Sequence, residues 1–139
     1  MAAIKELIRT EADGTISFGD YELKTKTKKS DFAHEGDLYK VKTYDEITRL
    51  EKNEMFVYES EPGTAVSHLQ ETEDGLCFFV DGPEDAQITV QCEPEAEYDL
   101  IINGERRDSL RSNLGGKLSF SVELGGQAVE VRIVAVKTE

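Results

Sequence analysis

The 139-residue chain has no tryptophan, only two cysteines and two histidines, and no long apolar run. Without tryptophan it lacks the usual ring of a sugar-binding platform. No apolar run approaches the roughly 20 residues needed to span a bilayer, and MAAIKELIRT at the start has no apolar core of a secretory signal. We therefore expect no membrane segment and no signal peptide, and a cytoplasmic location unless a signal precedes this chain.

The net charge of −13 is unevenly distributed. Glu61–Glu97 contains ten acidic residues and no lysine or arginine, whereas Lys24–Lys29 reads KTKTKK. Because an acidic chain repels nucleic acid and anionic membrane surfaces, we expect neither as a partner. Charge runs are usually solvated surface. These two runs are nevertheless complementary, and if they do not meet within one chain they can meet between two copies.

Alternating apolar and polar residues identify β-strands, and the clearest case is Lys117–Leu124, where every second side chain is apolar. Asn103-Gly104 is a residue pair that a two-residue hairpin turn prefers. Seven strands separated by turns predict an all-β, immunoglobulin-like or fibronectin-like sandwich over residues 61–139. The seven lie near Ala65–Leu69, Leu76–Val80, Gln87–Cys92, Tyr98–Ile102, Arg106–Leu110, Lys117–Leu124 and Val129–Val136.

Residues 1–60 are predicted to form a β-rich subdomain that packs on the sandwich. The strand Leu76–Val80 is apolar on both faces, whereas an antiparallel sandwich strand usually has one wet face. Its outer face therefore needs cover, either from residues 1–60 or from another subunit. Within the subdomain, Lys24–Lys29 suits an edge strand, because lysine side chains discourage pairing with another sheet edge.

One short helix is expected near residues 44–52. Thr43–Glu46 has the sequence of a capping box, in which the first and last side chains satisfy each other's backbone N–H groups. Apolar residues then recur at three-residue spacing from Tyr44 to Leu50, which places them on one helical face. Asn53 suits the left-handed residue that ends a helix.

Cys77 and Cys92 lie on neighbouring predicted strands that the Asp81–Asp85 turn connects. Pairing of Asp81 with Ala86 makes the cysteines diagonal neighbours about 7–8 Å apart, which is too far for a disulfide. A two-residue shift of register would place them opposite each other. The sequence therefore predicts two free, buried thiols, with the disulfide left open as the alternative.

The sequence shows no coherent catalytic set. His34 lies in a predicted loop, and His68 follows Ser67 in a strand, so the side chains of this Ser-His pair point to opposite faces. A GxSxG nucleophile elbow, zinc-type Cys/His clusters and nucleotide-binding glycine patterns are absent. We therefore expect no enzyme activity, no catalytic residues, no cofactor and no metal.

Two acidic turns, Glu71–Gly75 and Asp81–Asp85, lie at the ends of predicted strands. Neither has the alternating ligands of an EF-hand loop, so both are interpreted as hairpin turns, with calcium binding left open. Arg106, Arg107 and Arg111 form a local basic patch that we expect to pair with the acidic strands.

Phe56 and Tyr58 are predicted to share one strand face, with Met55 and Val57 on the other. Two rings on an exposed face would make a carbohydrate platform, whereas buried rings would belong to the core. The exposure of Phe56 and Tyr58 therefore separates these two interpretations.

Four stretches carry a resemblance to known proteins: Ile4–Leu7, Asp37–Glu59, Gly63–Val66 and Gly115–Leu124. Over nearly its whole length the chain resembles a set of small bacterial proteins of unknown function that are labelled "endosialidase". The resemblance implies a bacterial protein and no catalytic residues. The C-terminal part is also similar to generic immunoglobulin-like sandwich modules appended to many bacterial enzymes, a likeness that concerns fold rather than activity.

Sialidases use an arginine cluster, a tyrosine nucleophile and repeated Ser-x-Asp-x-Gly-x-x-Trp boxes. This chain has no tryptophan and less than half the length of a propeller, so the label is uninformative about its chemistry. We interpret the sequence as a non-enzymatic structural or protein-interaction module, with homo-oligomer formation as a hypothesis. A carbohydrate-binding module is the alternative, and a glycan-active hydrolase is the second alternative.

Overall fold

The computed structural model describes residues 3–136. In that range antiparallel strands, without any helix, form two sheets of a β-sandwich, so the predicted all-β class is confirmed. The strands are β1 (Ile8–Thr10), β2 (Ile16–Phe18), β3 (Thr27–His34), β4 (Asp37–Thr43), β5 (Thr48–Lys52), β6 (Met55–Glu61), β7 (Ala65–Thr72), β8 (Gly75–Asp81), β9 (Ala86–Gln91), β10 (Glu97–Ile102), β11 (Glu105–Arg111), β12 (Lys117–Val122) and β13 (Val129–Ala135).

The first sheet has the order β1-β2-β7-β8-β13-β10-β11, and the second has the order β12-β9-β6-β5-β4-β3. Strands from both predicted parts, residues 1–60 and 61–139, lie in each sheet, and one hydrophobic cluster joins them. The seven strands predicted in the second part are present as β7–β13. The hairpin at Asn103-Gly104 is also present, because both residues have positive φ, as a type I′ turn requires.

The predicted helix near residues 44–52 is wrong, because β5 occupies its second half. The Tyr44 N–H donates to the Ile47 carbonyl at 2.9 Å, which closes a turn instead of opening a helix. Thr43 Oγ1 lies 2.8 Å from Thr48 Oγ1 and accepts the Asp20 N–H at 3.0 Å, so it serves other partners and not a helix start. The strand is favoured because β4 and β6 pair with it on both sides, whereas so short a helix gains little from its own hydrogen bonds.

β3 is an outer strand of the second sheet, so the edge predicted around Lys24–Lys29 is confirmed from Thr27 onwards. Lys28 pairs in register with Lys42 of β4, and Lys42 pairs with Arg49 of β5. Residues directly opposite each other share a face, and like charges in such positions are destabilising. Three cations therefore form a row across the outer face of the second sheet.

Tyr58 joins the two sheets at the centre of the core. Its ring, which comes from the second sheet, packs edge-on against Phe18 and Phe78 of the first, with ring centres 5.3 and 5.7 Å apart. All three side chains are fully buried. Edge-to-face pairs of this kind stabilise a core beyond the area that they bury.

Thr64, in the segment between β6 and β7, is the centre of a buried hydroxyl network. Its Oγ1 lies 2.8 Å from both the Tyr58 hydroxyl and Ser60 Oγ. Its backbone carbonyl accepts a hydrogen bond from Thr48 Oγ1 at 2.8 Å, and its N–H donates to that hydroxyl oxygen of Thr48 at 3.0 Å. Gly63 lets this segment lie against the β4–β5 turn, because a Cβ there would lie 2.0 Å from a backbone oxygen of that turn. The network satisfies these buried hydroxyl groups.

We predict that Thr64→Val lowers the free energy of unfolding by about 2 kcal/mol, because it leaves buried hydroxyl groups without a partner. Urea denaturation measures this loss. Thr89→Val is the matched control: the exposed Thr89 hydroxyl lies 2.8 Å from Ser119 Oγ at the surface, so the change should stay within about 0.5 kcal/mol. Equal effects of the two substitutions would contradict the central role of Thr64.

Candidate functional site

One end of the sandwich opens into a groove, which we name the end groove. It lies between the β5–β6 and β7–β8 turns, encloses about 870 Å³ and is lined from both sheets. Val57, Leu76, Tyr98 and Ala135 supply apolar surface to it. Its volume falls within the range of ligand pockets, so the end groove has room for several side chains of a partner.

Carboxylates predominate around the end groove. Its two lysines have partners already: Lys52 Nζ lies 3.5 Å from Glu71 Oε1, and Lys117 Nζ lies 4.8 Å from the ring centre of Phe56. The excess negative charge favours a cationic ligand. The acidic residues of the lining are Glu54, Glu71, Glu73, Asp74 and Glu93.

An ion pair separates the end groove from a smaller cleft of about 350 Å³. Lys52, Val57 and Glu71 line both cavities, so the Lys52–Glu71 pair links the second sheet to the first. Burial lowers the pKa of Lys52, but Glu71 and other neighbours outweigh it, and the pKa is raised overall. Lys52 therefore keeps its charge at neutral pH and holds the two sheets together here.

Both histidines attach the β1–β2 turn to the sheets. His34, the last residue of β3 and not a loop residue as predicted, has Nδ1 2.9 Å from Thr10 Oγ1. His68 Nδ1 lies 3.0 Å from Asp13 Oδ2. Ser67 is buried and His68 is exposed, which separates the two side chains. The histidines therefore have structural partners within the chain.

The shifted carboxyl groups beside the smaller cleft do not suit acid catalysis. The pKa values of Glu11, Asp13 and Asp37 all lie below their ordinary values. Hydrogen bonds are the main cause, as when the Thr15 side chain donates to Asp13. A glycoside hydrolase needs the opposite shift in its proton donor. These groups are therefore hydrogen-bonded anions.

The cysteines are free, as predicted, but their placement differs from the prediction. Cys77 lies on β8 in the first sheet, whereas Cys92 directly follows β9 in the second, so they are not neighbours in one hairpin. The turn between β8 and β9 crosses from one sheet to the other. Both thiols are half-buried, and Cys92 lines the end groove. Burial raises the pKa of Cys92 to about 11 and also raises that of Cys77.

The prediction that Phe56 and Tyr58 share a face is wrong. A β-bulge shifts the register of β5 and β6, so Leu50 pairs with Tyr58 whereas Glu51 pairs with Phe56. Tyr58 therefore points into the core, and Phe56 lies half-buried with Arg49 Cζ 5.0 Å from its ring centre. The alternation of the sequence carries no signal for this extra residue.

The two acidic turns have separate positions. Glu71–Gly75 borders the end groove, whereas Asp81 is fully buried, with Oδ2 3.3 Å from the Tyr21 hydroxyl. Asp85 accepts the Leu124 N–H at 3.1 Å. Among residues 3–136 no three His, Cys, Asp or Glu side chains are grouped to hold a metal ion.

The predicted arginine patch lies on β11, the outer strand of the first sheet. Arg106 Nε donates to Asp99 Oδ1 on β10 at 3.0 Å, and Arg107 lies 3.5 Å from Glu105. These partners follow the acidic Glu61–Glu97 stretch in sequence and do not belong to it. Arg106 and Arg107 are therefore paired with nearby acids.

The Leu76–Val80 strand keeps part of its outer face exposed. Leu76, Phe78 and Val80 are buried in the core, whereas Phe79 on the other face is 36% exposed. The His68 ring contacts Phe79 edge-on, with ring centres 6.5 Å apart. Residues 3–60 therefore do not complete the cover of this face.

The lysine segment, residues 24–29, does not contact the acidic stretch. Lys24 Nζ lies 3.6 Å from Asp45 Oδ2, and Lys26 Nζ lies 5.9 Å from the ring centre of Tyr44. In the described part of the chain, no lysine of this segment forms an ion pair with an acidic residue of Glu61–Glu97. The two opposite charge runs therefore stay apart within one chain.

These features define an all-β sandwich with an acidic groove at one end. No protein-family model matches the chain, and the searches of curated proteins and of solved structures found no match. A search of residues 3–136 for a helix long and apolar enough to cross a membrane found none.

We predict that the two thiols differ in reactivity at pH 8. With a pKa of about 11, Cys92 has a thiolate fraction roughly 100-fold below that of an unburied cysteine, so iodoacetamide should modify Cys77 first. The Cys92 rate should rise steadily as the pH increases toward 10. Mass spectrometry of the Cys77→Ser and Cys92→Ser variants measures the alkylation rate of the remaining thiol in each. The urea-unfolded chain serves as the control. A native Cys92 that reacts as fast as the unfolded chain would contradict the burial.

Proposed function

We propose that the protein is a non-enzymatic interaction module that associates with copies of itself. The observation that carries this proposal is the separation of charge within one chain. Lys24–Lys29 is exposed at a sheet edge, acidic residues of the β7–β8 turn and Glu93 line the end groove, and no ion pair joins the two groups in the described residues. Opposite charges that remain apart in one molecule attract between two.

Apolar surface supports association as well. Met55 beside the end groove is 71% exposed, and Leu114, next to Gly115 of its lining, is 79% exposed. Phe79 lies exposed on the outer face of the first sheet. Exposed surface charge pairs contribute only about 0–1 kcal/mol each, so apolar contact beside them adds to the binding energy of an interface.

The two alternatives have less support. A carbohydrate-binding module needs exposed rings, whereas Tyr58 is fully buried and cationic groups of Arg49 and Lys117 contact the Phe56 ring. A glycan-active hydrolase needs a carboxylic acid with a raised pKa, whereas the pKa of Asp13 beside the smaller cleft is lowered. The immunoglobulin-like type of the sandwich, the cytoplasmic location and the resemblance to "endosialidase"-labelled bacterial proteins stay predictions.

We predict that the chain forms oligomers at low salt that dissociate as salt increases, because screening shortens to about 3 Å at 1 M. Sedimentation velocity over a range of concentrations measures this. Lys26→Glu combined with Lys28→Glu should abolish the oligomer, since it reverses the charge of the lysine segment.

The matched control is Arg107→Glu combined with Arg111→Glu, which changes the net charge equally but lies on the outer strand of the first sheet. This control variant should still associate. A single monomeric species at every salt and concentration would end the proposal of self-association. If neither salt nor the lysine substitutions affect the oligomer, the interface lies instead on the apolar face around Phe79.

A further inference from the structure

We propose, building on the self-association proposed above, that the end groove of one copy binds the lysine segment, residues 24–29, of another. The occupant is a second copy of this chain, and each copy offers two different surfaces. The contact is therefore head-to-tail.

The end groove presents acidic side chains from two separate elements. Glu73 lies in the β7–β8 turn and Glu93 lies between β9 and β10, and both are exposed. Within residues 3–136 neither side chain belongs to an ion pair. A cationic chain lying in the groove meets carboxylates contributed by both sheets.

The spacing of the lysine side chains, as well as their charge, suits the end groove. Lys26 and Lys28 are two residues apart, so in extended chain both side chains project from the same face about 6.6 Å apart. Their aliphatic stems can cover apolar surface while the ammonium groups reach the carboxylates. Met55, which is 71% exposed, and the half-buried Val57 supply that apolar surface in the end groove.

Repulsion within the row of cations on the second sheet favours the binding of an external anion at Lys28. Lys28 faces Lys42 across the sheet, and Lys42 faces Arg49. Within residues 3–136, Arg49 has acidic partners at 3.0–3.1 Å, whereas Lys28 and Lys42 form no ion pair. Like charges opposite each other are repulsive within the isolated chain. Carboxylates from a second copy relieve this repulsion.

Two different surfaces on each chain give a heterologous interface. Such a contact repeats from copy to copy and ends in a closed ring or an open filament, whereas a twofold dimer uses the same patch on both partners. The proposal therefore predicts assemblies that extend beyond dimers as the concentration rises.

The test uses two neutralising variants. The lysine variant carries Lys26→Gln and Lys28→Gln, and the groove variant carries Glu73→Gln and Glu93→Gln. Each change should weaken self-association by roughly tenfold or more. At a concentration where the original chain is oligomeric and each variant alone is monomeric, a mixture of the two should form 1:1 heterodimers and nothing larger. Circular dichroism and thermal unfolding confirm that both variants are folded.

Two chemical measurements locate the contact. A carbodiimide, which joins lysine to carboxylate without a spacer, should link the lysine segment of one copy to Glu73 or Glu93 of another in a mixture of ¹⁵N-labelled and unlabelled chains. Assembly should also slow alkylation of Cys92, which lines the end groove, at least several-fold. Cys77, on the outer face of the first sheet, should react unchanged.

Each outcome decides between distinct possibilities. A groove variant that associates like the original chain overturns the groove contact but leaves self-association standing. Protection of Cys77 in place of Cys92 overturns it as well, and assigns the interface to the outer face of the first sheet. A mixture that yields no heterodimer excludes the head-to-tail arrangement. An original chain that stays monomeric in low salt removes the proposed function itself.

Discussion

The hydrogen bond between the Tyr58 hydroxyl and Thr64 Oγ1 is the contact on which the arrangement of the two sheets depends. It fixes a ring of the second sheet that packs between Phe18 and Phe78 of the first. The buried hydroxyl groups of Tyr58, Ser60 and Thr64 are tolerated in this core because each has a hydrogen-bond partner. Hydroxyl groups fill one end of the sandwich, whereas the other end, where β5 turns into β6, stays open as the end groove.

The charged side chains are also distributed unevenly over the sandwich. Acidic residues gather in the turns around the end groove, where their side chains keep their hydration, and a row of cations crosses the outer face of the second sheet. The Lys52–Glu71 pair is the exception, since it joins the two sheets between the cavities. Charge therefore links the two sheets at this pair, whereas Glu73 and Glu93 beside the end groove belong to no ion pair within residues 3–136.

The sequence predicts a residue's conformation correctly where that residue alone sets it, and wrongly where the pairing of neighbouring strands sets it. Asn53 has the left-handed φ of 51° expected of it, but Glu54 has φ of 69°, so the pair forms a hairpin turn and not a helix end. The extra residue in β6 then turns Tyr58 inward and Phe56 outward. The identity of a turn residue indicates its own backbone conformation, whereas a bulge depends on the register between two paired strands.

The sequence by itself determined the all-β class, the strands β7–β13, the Asn103-Gly104 hairpin and the lysine edge, because alternation and turn chemistry are properties of consecutive residues. Only the tertiary structure decided that Thr48–Lys52 is a strand, that Cys77 and Cys92 lie in different sheets, and that distant turns enclose an acidic groove. These features depend on which strands pair across the two sheets. That pairing is set by burial of a shared core, to which residues far apart in sequence contribute together.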